Sequence, residues 1–460
     1  MRVKSVFVAL AVMAGMVGLA GSPASADHAG TTVLVDGADA TSDVGGCGSA
    51  ANPCNTIQAG VDHANAGDTL VVAAGTYPEN VVLNKQLTLD GAQVGVDARG
   101  RVASESIIAP AAGRGIELRT GSAGSTIDGF SFASGGLGGR GIESTSGPIN
   151  GLSILNSLFT VGGGGSAIFL NDNGTDITVD QNSMNGAGVS GTLMHLDQDN
   201  FDGFWFTNND VLSANGTGLF SDGNRNVGVS GARSPDMSGN RFDGNVTGAN
   251  LGRKSWEFAS IDSNTFSNNA FPGLQGGPAD STITSNTLDS NGRGGLELTG
   301  FGGAADATRG AQRNTIEFNV FTGNGEAIFY SSGQAAGTIS TNVAHNNNIA
   351  GNTSGVSYAG AETIDVECNW WGDSSGPSGD GPGSGDSANA PGTGAFDFEP
   401  WLTAPAPGGA CNGPLPIPTS QDDCKKNGWM TRTDDTGRPF KNQGDCVSYV
   451  ATGGQNKADG

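Results

Sequence analysis

Apolar residues recur along most of this chain as single inward positions between polar ones, not as helical stripes. Ile261-Asp262-Ser263, Ile283-Thr284-Ser285 and Ile316-Glu317-Phe318 are typical, and such alternation marks strands with one buried face. Each triplet runs into the phrase Asn-x-apolar, which opens at Asn156, Asn182, Asn209, Asn240, Asn264, Asn286, Asn319, Asn347 and Asn369. The intervals are 26, 27, 31, 24, 22, 33, 28 and 22 residues, and Gly129 holds the same slot 27 residues before Asn156. A spacing that recurs but varies by several residues marks a solenoid whose loops differ while its rungs do not. Each unit reads as two or three strands of three to five residues between Gly, Asn, Ser and Asp corners, which fits one coil of a parallel β-helix. Helical repeats of similar length would need a 3.6-residue apolar period. From about residue 31 to 402, about 27 residues per coil gives about 13 or 14 coils, a rod on the order of 60–65 Å long at the rise between neighbouring strands.

The Asn row predicts a structural device. Asparagine tolerates the left-handed corner conformation better than most non-glycine residues, and its amide can bond to the Asn one coil above. Inward Ile, Leu, Val and Phe stack into one core. The low aromatic fraction, 7%, and a mean hydropathy of −0.22 suggest a narrow core filled mainly by small aliphatics.

Both ends of the chain differ from the repeat. Residues 1–26 carry Arg2 and Lys4, an apolar run from Val6 to Leu19 and then Ala24-Ser25-Ala26, the order of a secretory signal. The expected organisation is therefore a signal peptide at 1–26, a β-helix at 27–402, a Pro/Gly-rich linker at 403–420 and a Cys-bounded tail at 421–460. The protein should be secreted and extracellular, with no membrane span. At the start of the rod, Asn55 or Thr56 opens a short helix with Ile57, Val61 and Ala64 on one face, ended by Gly67; it would cap the open core. Six Cys in an exported chain read as disulfides. Six allow 15 connectivities, among which proximity favours Cys47–Cys54, Cys368–Cys411 and Cys424–Cys446. The tail, with Lys425, Lys426, Arg432, Arg438 and Lys441, suggests a stapled hairpin.

The formal charge is −23, or −25 once Arg2 and Lys4 leave with the signal. Such a surface argues against nucleic acid and anionic membranes as partners. Charged residues are only 15% of the chain, so the surface is largely neutral hydroxyl and amide, which suits a sugar.

The stretch "TIQ" (56–58), "AGTYPEN" (74–80) and "LTLDG" (87–91) resembles the N-terminal cap of right-handed parallel β-helix proteins of the pectate-lyase-like superfamily. "CNWWGDSSGP" (368–377) followed by "FDFEPWL" (396–402) is similar to the closing segment of many secreted bacterial and archaeal β-helix proteins. The tail resembles cysteine-bounded termini of actinobacterial secreted proteins. The resemblance covers about 370 residues and implies an all-β, right-handed parallel β-helix with carbohydrate-binding or sugar-hydrolase type repeats. It transfers no catalytic residue: the pectin methylesterase pattern GxVDFIFG with LGRPW, the polygalacturonase set NTD, DD, GHG and RIK, and the alginate epimerase DPH-type motif do not occur. Many chemistries share this scaffold.

Candidate chemistry comes from aligning one strand across coils. "GSAIFLND" (165–172) lies 26 residues before "GTLMHLDQ" (191–198), so with Ile168, Leu170, Met194 and Leu196 facing the core, Phe169, Asn171, His195, Asp197 and Asp199 point outward. The next coils present Phe220 and Asp222, then Asn250 and Arg253 or Lys254. Glu117, Glu143, Glu297 and Phe329 take the analogous slot elsewhere. Asp197 and Asp222, one coil apart, would approach the spacing of a retaining glycosidase pair, with His195 beside them. A second reading gives Asp197, Asp199 and Asp222 to Ca²⁺, with Arg253 or Lys254 as the base of a lyase. Phe169, Phe220 and Phe329 would be sugar-stacking platforms, and Asn171, Asn250 and Arg253 would add substrate contacts. Ordinary solvation of a long rod is the competing explanation of all these outward residues. His28, His63 and His345 fall elsewhere, so no metal-binding His cluster is expected. The "GDSSGPSGDGPGSGD" stretch with Asp373, Asp380 and Asp386 reads as solvated linker more readily than as a calcium loop. The two functional classes are thus a protein that binds and cleaves extracellular polysaccharide or cell-wall glycan, and a non-catalytic adhesion or structural rod.

Overall fold

The computed structural model describes residues 31–38, 46–134, 139–186, 191–197, 201–221, 234–252, 256–299, 310–333, 338–411, 417–425, 429, 432–435, 438 and 440–458. The expected signal segment lies outside them. The chain coils into three parallel sheets. The first has 14 strands, from Thr32–Val35 to Ala395–Asp397; the second has 13, from Val81–Leu83 to the region of Gly385–Asn389; the third has 11, from Gly75–Tyr77 to Asn348–Ile349. Each coil gives about one strand to each sheet, and each strand pairs with its counterpart one coil away, so every rung meets only its neighbours. This is the right-handed parallel β-helix expected from the repeat, all-β apart from short helical pieces. No helix among the described residues is long and apolar enough to cross a membrane.

The first coil is closed by helix α1 (Ile57–His63), with Ile57, Gly60 and Val61 buried. Thr56 is the cap, its hydroxyl accepting from the Ala59 amide at 3.1 Å. The Glu79 carboxylate accepts from the Ile57 and Gln58 amides at 2.7 and 2.9 Å, placing an anion at the positive end of the helix. Lys85 Nζ donates to the Val61 and Ala64 carbonyls at the other end, both at 3.0 Å. The helix stops at His63, earlier than the glycine signal; Gly67, at φ +93°, turns the chain into the next strand.

The corners correct the reading of the Asn row. The left-handed residue is the one before the ladder Asn: Gln181, Asn208, Gly239, Ser263, Ser285, Phe318, Asn346 and Cys368 all have φ between 52° and 66°. The ladder Asn follows in ordinary conformation and turns its amide along the rod axis. Asn182 Nδ2 donates to Asn209 Oδ1 at 3.1 Å, and the chain of amides continues through Asn240, Asn264, Asn286, Asn319, Asn347 and Asn369. Asn156 is one place out of phase. It takes the left-handed role itself, at φ 47°, because Leu155 pairs with Asp180, and the ladder position in its coil belongs to Ser157, whose amide donates to Asn182 Oδ1 at 2.9 Å. Gly129, at φ 77°, likewise precedes the ladder position. A second row, Asn245, Asn269, Asn291, Asn324 and Asn352, lines the corner after the third sheet and ends on Asp386, whose carboxylate accepts from Asn352 N and Nδ2, both at 2.8 Å. A shorter third row joins Ser281, Asn314 and Asn342.

The core is more aromatic than composition suggested. Phe132 stacks on Phe159 with centroids 4.7 Å apart, and Phe242 on Phe266 at 4.9 Å; Phe204, Phe206, Phe321, Trp256 and Trp371 are also buried. Aromatics are few but directed inward. The disulfides are Cys47–Cys54, Cys368–Cys411 and Cys424–Cys446, the pairings favoured by proximity. The Asp-Gly-Ser stretch expected to be a linker is ordered into the end of the second sheet as strands Pro377–Gly379 and Gly385–Asn389, with Asp373 and Asp380 capping Ser375 and Ala390. Nor is the tail a hairpin: helix α2 (Gln443–Ala451) packs Cys446 and Tyr449 against Cys424, Phe440 and Ala458.

Candidate functional site: the outward rows of the first two sheets

Strand alternation projects one side chain per coil from the second sheet. In register, one coil after another, stand Val82, Glu117, Glu143, Phe169, His195, Phe220, Asn250, Gln275, Glu297, Phe329, Ser357 and Asn389. Phe169, His195, Phe220 and Asn250 therefore occupy adjacent rungs, and Glu117, Glu143, Glu297 and Phe329 belong to the same row. Gln275, between Asn250 and Glu297, is a member of the row that the sequence conceals: its "LQG" triplet (274–276) carries a single aliphatic residue and hides the register. Asn171 and Asp197 follow the row strands of their coils, with amides donating to Ser144 Oγ at 2.7 Å and to the Leu170 carbonyl at 2.9 Å. Asp199, Asp222, Arg253 and Lys254 lie outside the described residues.

The row is partly packed. Phe169 is 7% exposed, Glu143 6% and Glu297 4%, whereas Glu117, His195, Phe220, Asn250, Gln275 and Phe329 are half-buried. The Arg140 guanidinium lies 3.7 Å from the Phe169 ring centre, and the His195 ring meets Phe169 edge-on at 4.7 Å and Phe220 at 5.2 Å. Glu143 bridges Arg114 and Arg140. Burial, and then the neighbouring Arg114, pull Arg140 below its usual range, while Asp197 opposes them. Glu117 is held below the usual carboxylate range, chiefly by its hydrogen bonds from Arg119. Glu297 goes the other way: burial pushes its carboxyl up and Glu326 adds to this, against Arg293 at 3.4 Å. Its Oε2 is buried without a hydrogen-bond partner. A low-dielectric site that favours the acid form gives a carboxyl able to donate a proton.

The first sheet carries a second, acidic row just before the Asn corner: Asp180 in one coil, Asp262 further on, then Thr284, Glu317 and His345 in successive register, and Asp365 beside Asp397. His345 Nε2 lies 2.6 Å from Asp365 Oδ1, and donor atoms of His345, Asp365 and Glu367 all fall within 4.8 Å of one another. Burial, then Asp365 and Asp397, raise the Glu367 carboxyl, with His345 opposing. This grouping holds one histidine and two carboxylates, a combination that the expectation of no histidine cluster did not address. The signal is the triplet "AHN" (344–346) in the slot that "IEF" (316–318) and "VEC" (366–368) fill in other coils.

Residues 202–371 match the family model described as the right handed beta helix region. No curated protein matches the chain. Among solved structures, the Azotobacter vinelandii mannuronan C-5 epimerase AlgE4 A-module is 16% identical with a TM-score of 0.48, over 74% of this chain and 92% of that one. The Dettilon tailspike protein gp208 is 13% identical with a TM-score of 0.46, over 80% of this chain and 69% of that one. The GH136 lacto-N-biosidase from Eubacterium ramulus is 10% identical with a TM-score of 0.35, over 69% and 67%. None of these likenesses bears on chemistry.

Proposed function

We propose that the outward row of the second sheet binds an extracellular polysaccharide or cell-wall glycan. The observation that carries this reading is the in-register run His195, Phe220, Asn250, Gln275, Glu297 and Phe329. It interleaves apolar rings with planar amide and carboxyl groups along one straight line. Sugars present alternating C–H faces and hydroxyl edges, and a linear site for them needs rings for the faces and planar hydrogen-bonding groups for the edges. Cleavage, by hydrolysis or elimination, is assigned to His195, Asp197 and Asp222, with Asp199 joining the two carboxylates if Ca²⁺ is required. The non-catalytic rod draws its support from one observation: Glu143 and Phe169 are engaged by Arg114 and Arg140, so that end of the row is packed.

The test is incubation of the purified protein with a panel of polysaccharides, with Ca²⁺ or chelator, following new reducing ends and unsaturated products. Unsaturated ends that require Ca²⁺ select a lyase, and plain reducing ends a hydrolase. The catalytic assignment further expects Asp197→Ala and Asp222→Ala to abolish turnover with β circular dichroism intact. Binding without cleavage leaves the glycan-binding rod, and neither binding nor cleavage across the panel sinks the proposal.

A further inference from the structure

We infer that His345, Asp365 and Glu367 form a binding site for one first-row divalent transition cation, with Zn²⁺ as its representative. The site stands on the first sheet and does not depend on the glycan-binding reading of the second.

His345 closes the strand Val343–His345, Asp365 closes Thr363–Asp365, and Glu367 stands two residues on, at the corner. These coils are fastened at that corner. Asn346 N donates to the Cys368 carbonyl at 2.8 Å, Asn347 N and Nδ2 donate to Asn369 Oδ1 at 2.9 and 3.0 Å, and Cys368 is tied to Cys411. Three ligating side chains therefore project from a fixed platform, as preorganised metal sites require.

Charge makes the second point. Glu317 stands in register beside His345, and Asp397 beside Asp365. Among the described residues, no Lys or Arg forms an ion pair with Glu317, Asp365, Glu367 or Asp397; His345 with Asp365 is the one ion pair in the group. A single imidazole leaves most of the charge of these four carboxylates uncompensated, whereas a divalent cation held by two of them would offset half of it.

Geometry supplies the third. Ligands on a tetrahedral Zn²⁺ with bonds of about 2.0–2.2 Å lie about 3.3–3.5 Å apart. The 2.6 Å contact between His345 and Asp365 must open by less than about 1 Å, and no donor pair, all lying within 4.8 Å, must close by more than about 1.5 Å. Both side chains of the ion pair are partly exposed, so small rotamer changes suffice and water can fill the fourth position. One imidazole with two carboxylates suits Zn²⁺ or Mn²⁺; Ca²⁺ and Mg²⁺ prefer all-oxygen shells.

The experiment is titration calorimetry of chelator-stripped full-length protein with ZnCl₂, CaCl₂ and MgCl₂, with metal content counted after dialysis. One equivalent of Zn²⁺ is expected, at least about tenfold tighter than either other ion, with His345→Gln and Glu367→Gln each weakening it about tenfold or more. His63→Gln should change nothing, and circular dichroism checks that each variant is folded. No Zn²⁺ uptake, uptake that survives both ligand substitutions, or Ca²⁺ bound equally well each overturns the inference.

Discussion

Asn264 and Asn286 stand 22 residues apart in the chain and 2.9 Å apart at their side-chain amides. The Asn286 oxygen accepts from both the backbone and the side chain of Asn264, while its own nitrogen donates to the Ile261 carbonyl and to Asn319 Oδ1. All of this is buried. Asn286→Ala leaves two donors and a carbonyl unpaired, and each orphaned buried group costs about 1–3 kcal/mol. Allowing for partial relaxation, the expected loss is about 2–4 kcal/mol in denaturant unfolding. A loss below about 1 kcal/mol would contradict the ladder's structural role.

The phase of the ladder gives a sharper comparison. Asn156 provides the left-handed corner and Asn182 an amide rung. Asn156→Gly relieves the backbone while giving up one hydrogen bond to Asp128 Oδ1, so its stability should stay within about 1 kcal/mol of the parent. Asn182→Gly should cost at least about 2 kcal/mol. Equal losses would mean that both positions do the same job.

Glu297 should leave a pH signature. Its carboxyl is raised in the fold, chiefly by burial, so the acid form is favoured there. The stability this group contributes is full below the unfolded-state pKa of about 4.3 and is lost as pH rises through the folded value. Glu297→Gln cannot ionise, so its melting temperature should exceed the parent's at neutral pH and converge with it in acid. A gap that does not change with pH would show that ionisation is not the cause.

Along the second-sheet row, packing and binding should separate. Phe169 is covered by Arg140, and Phe169→Ala should lower stability by about 2–4 kcal/mol. Phe220→Ala and Gln275→Ala, at half-buried positions, should stay folded and weaken glycan affinity about tenfold, or about 1.4 kcal/mol. Unchanged affinity in both variants would move the binding face off this row.

The tail is expected to answer to its own disulfide. Replacing Cys424 and Cys446 by Ser releases a closed loop with a sequence separation of 22, worth about 3 kcal/mol by chain entropy. The small core around Tyr449 should then become protease-sensitive while the rod's melting is unaltered. A concerted loss of both would show that the tail is part of the rod.

The coils were legible because strand alternation and corner chemistry repeat. Ile261, Ile283 and Ile316 lie in register, as their shared triplets imply. The phase of Asn156 was not legible, since Asn fits both a left-handed corner and a ladder; only the pairing of Leu155 with Asp180 decides between them. The second row was written in the sequence as a five-residue step, Asn240 to Asn245 and Asn264 to Asn269, but an isolated Asn also reads as an ordinary turn. The outward row followed from alternation, whereas its partial burial did not, because what lies over a strand depends on side chains such as Arg140 reaching across coils. The partners of His345 were written in the same repeat, since Glu367 follows it by 22 residues as Asn369 follows Asn347, but a lone histidine on a strand reads as solvated until the register places carboxylates beside it.

The end of the second Asn row carries a consequence for the whole rod. Peptide dipoles alternate along a strand and largely cancel, but the amides of a ladder all point one way, each nitrogen toward the next coil. They add head to tail like the peptide units of an α-helix, leaving a positive pole at the C-terminal end. There the Asp386 carboxylate collects the Gly351 amide at 3.1 Å and both Asn352 donors, as an acidic cap does at the start of a helix. The coils from Asn245 to Asp386 are thus polarised along the axis, and the end of this row terminates an electric axis as well as a stack of strands.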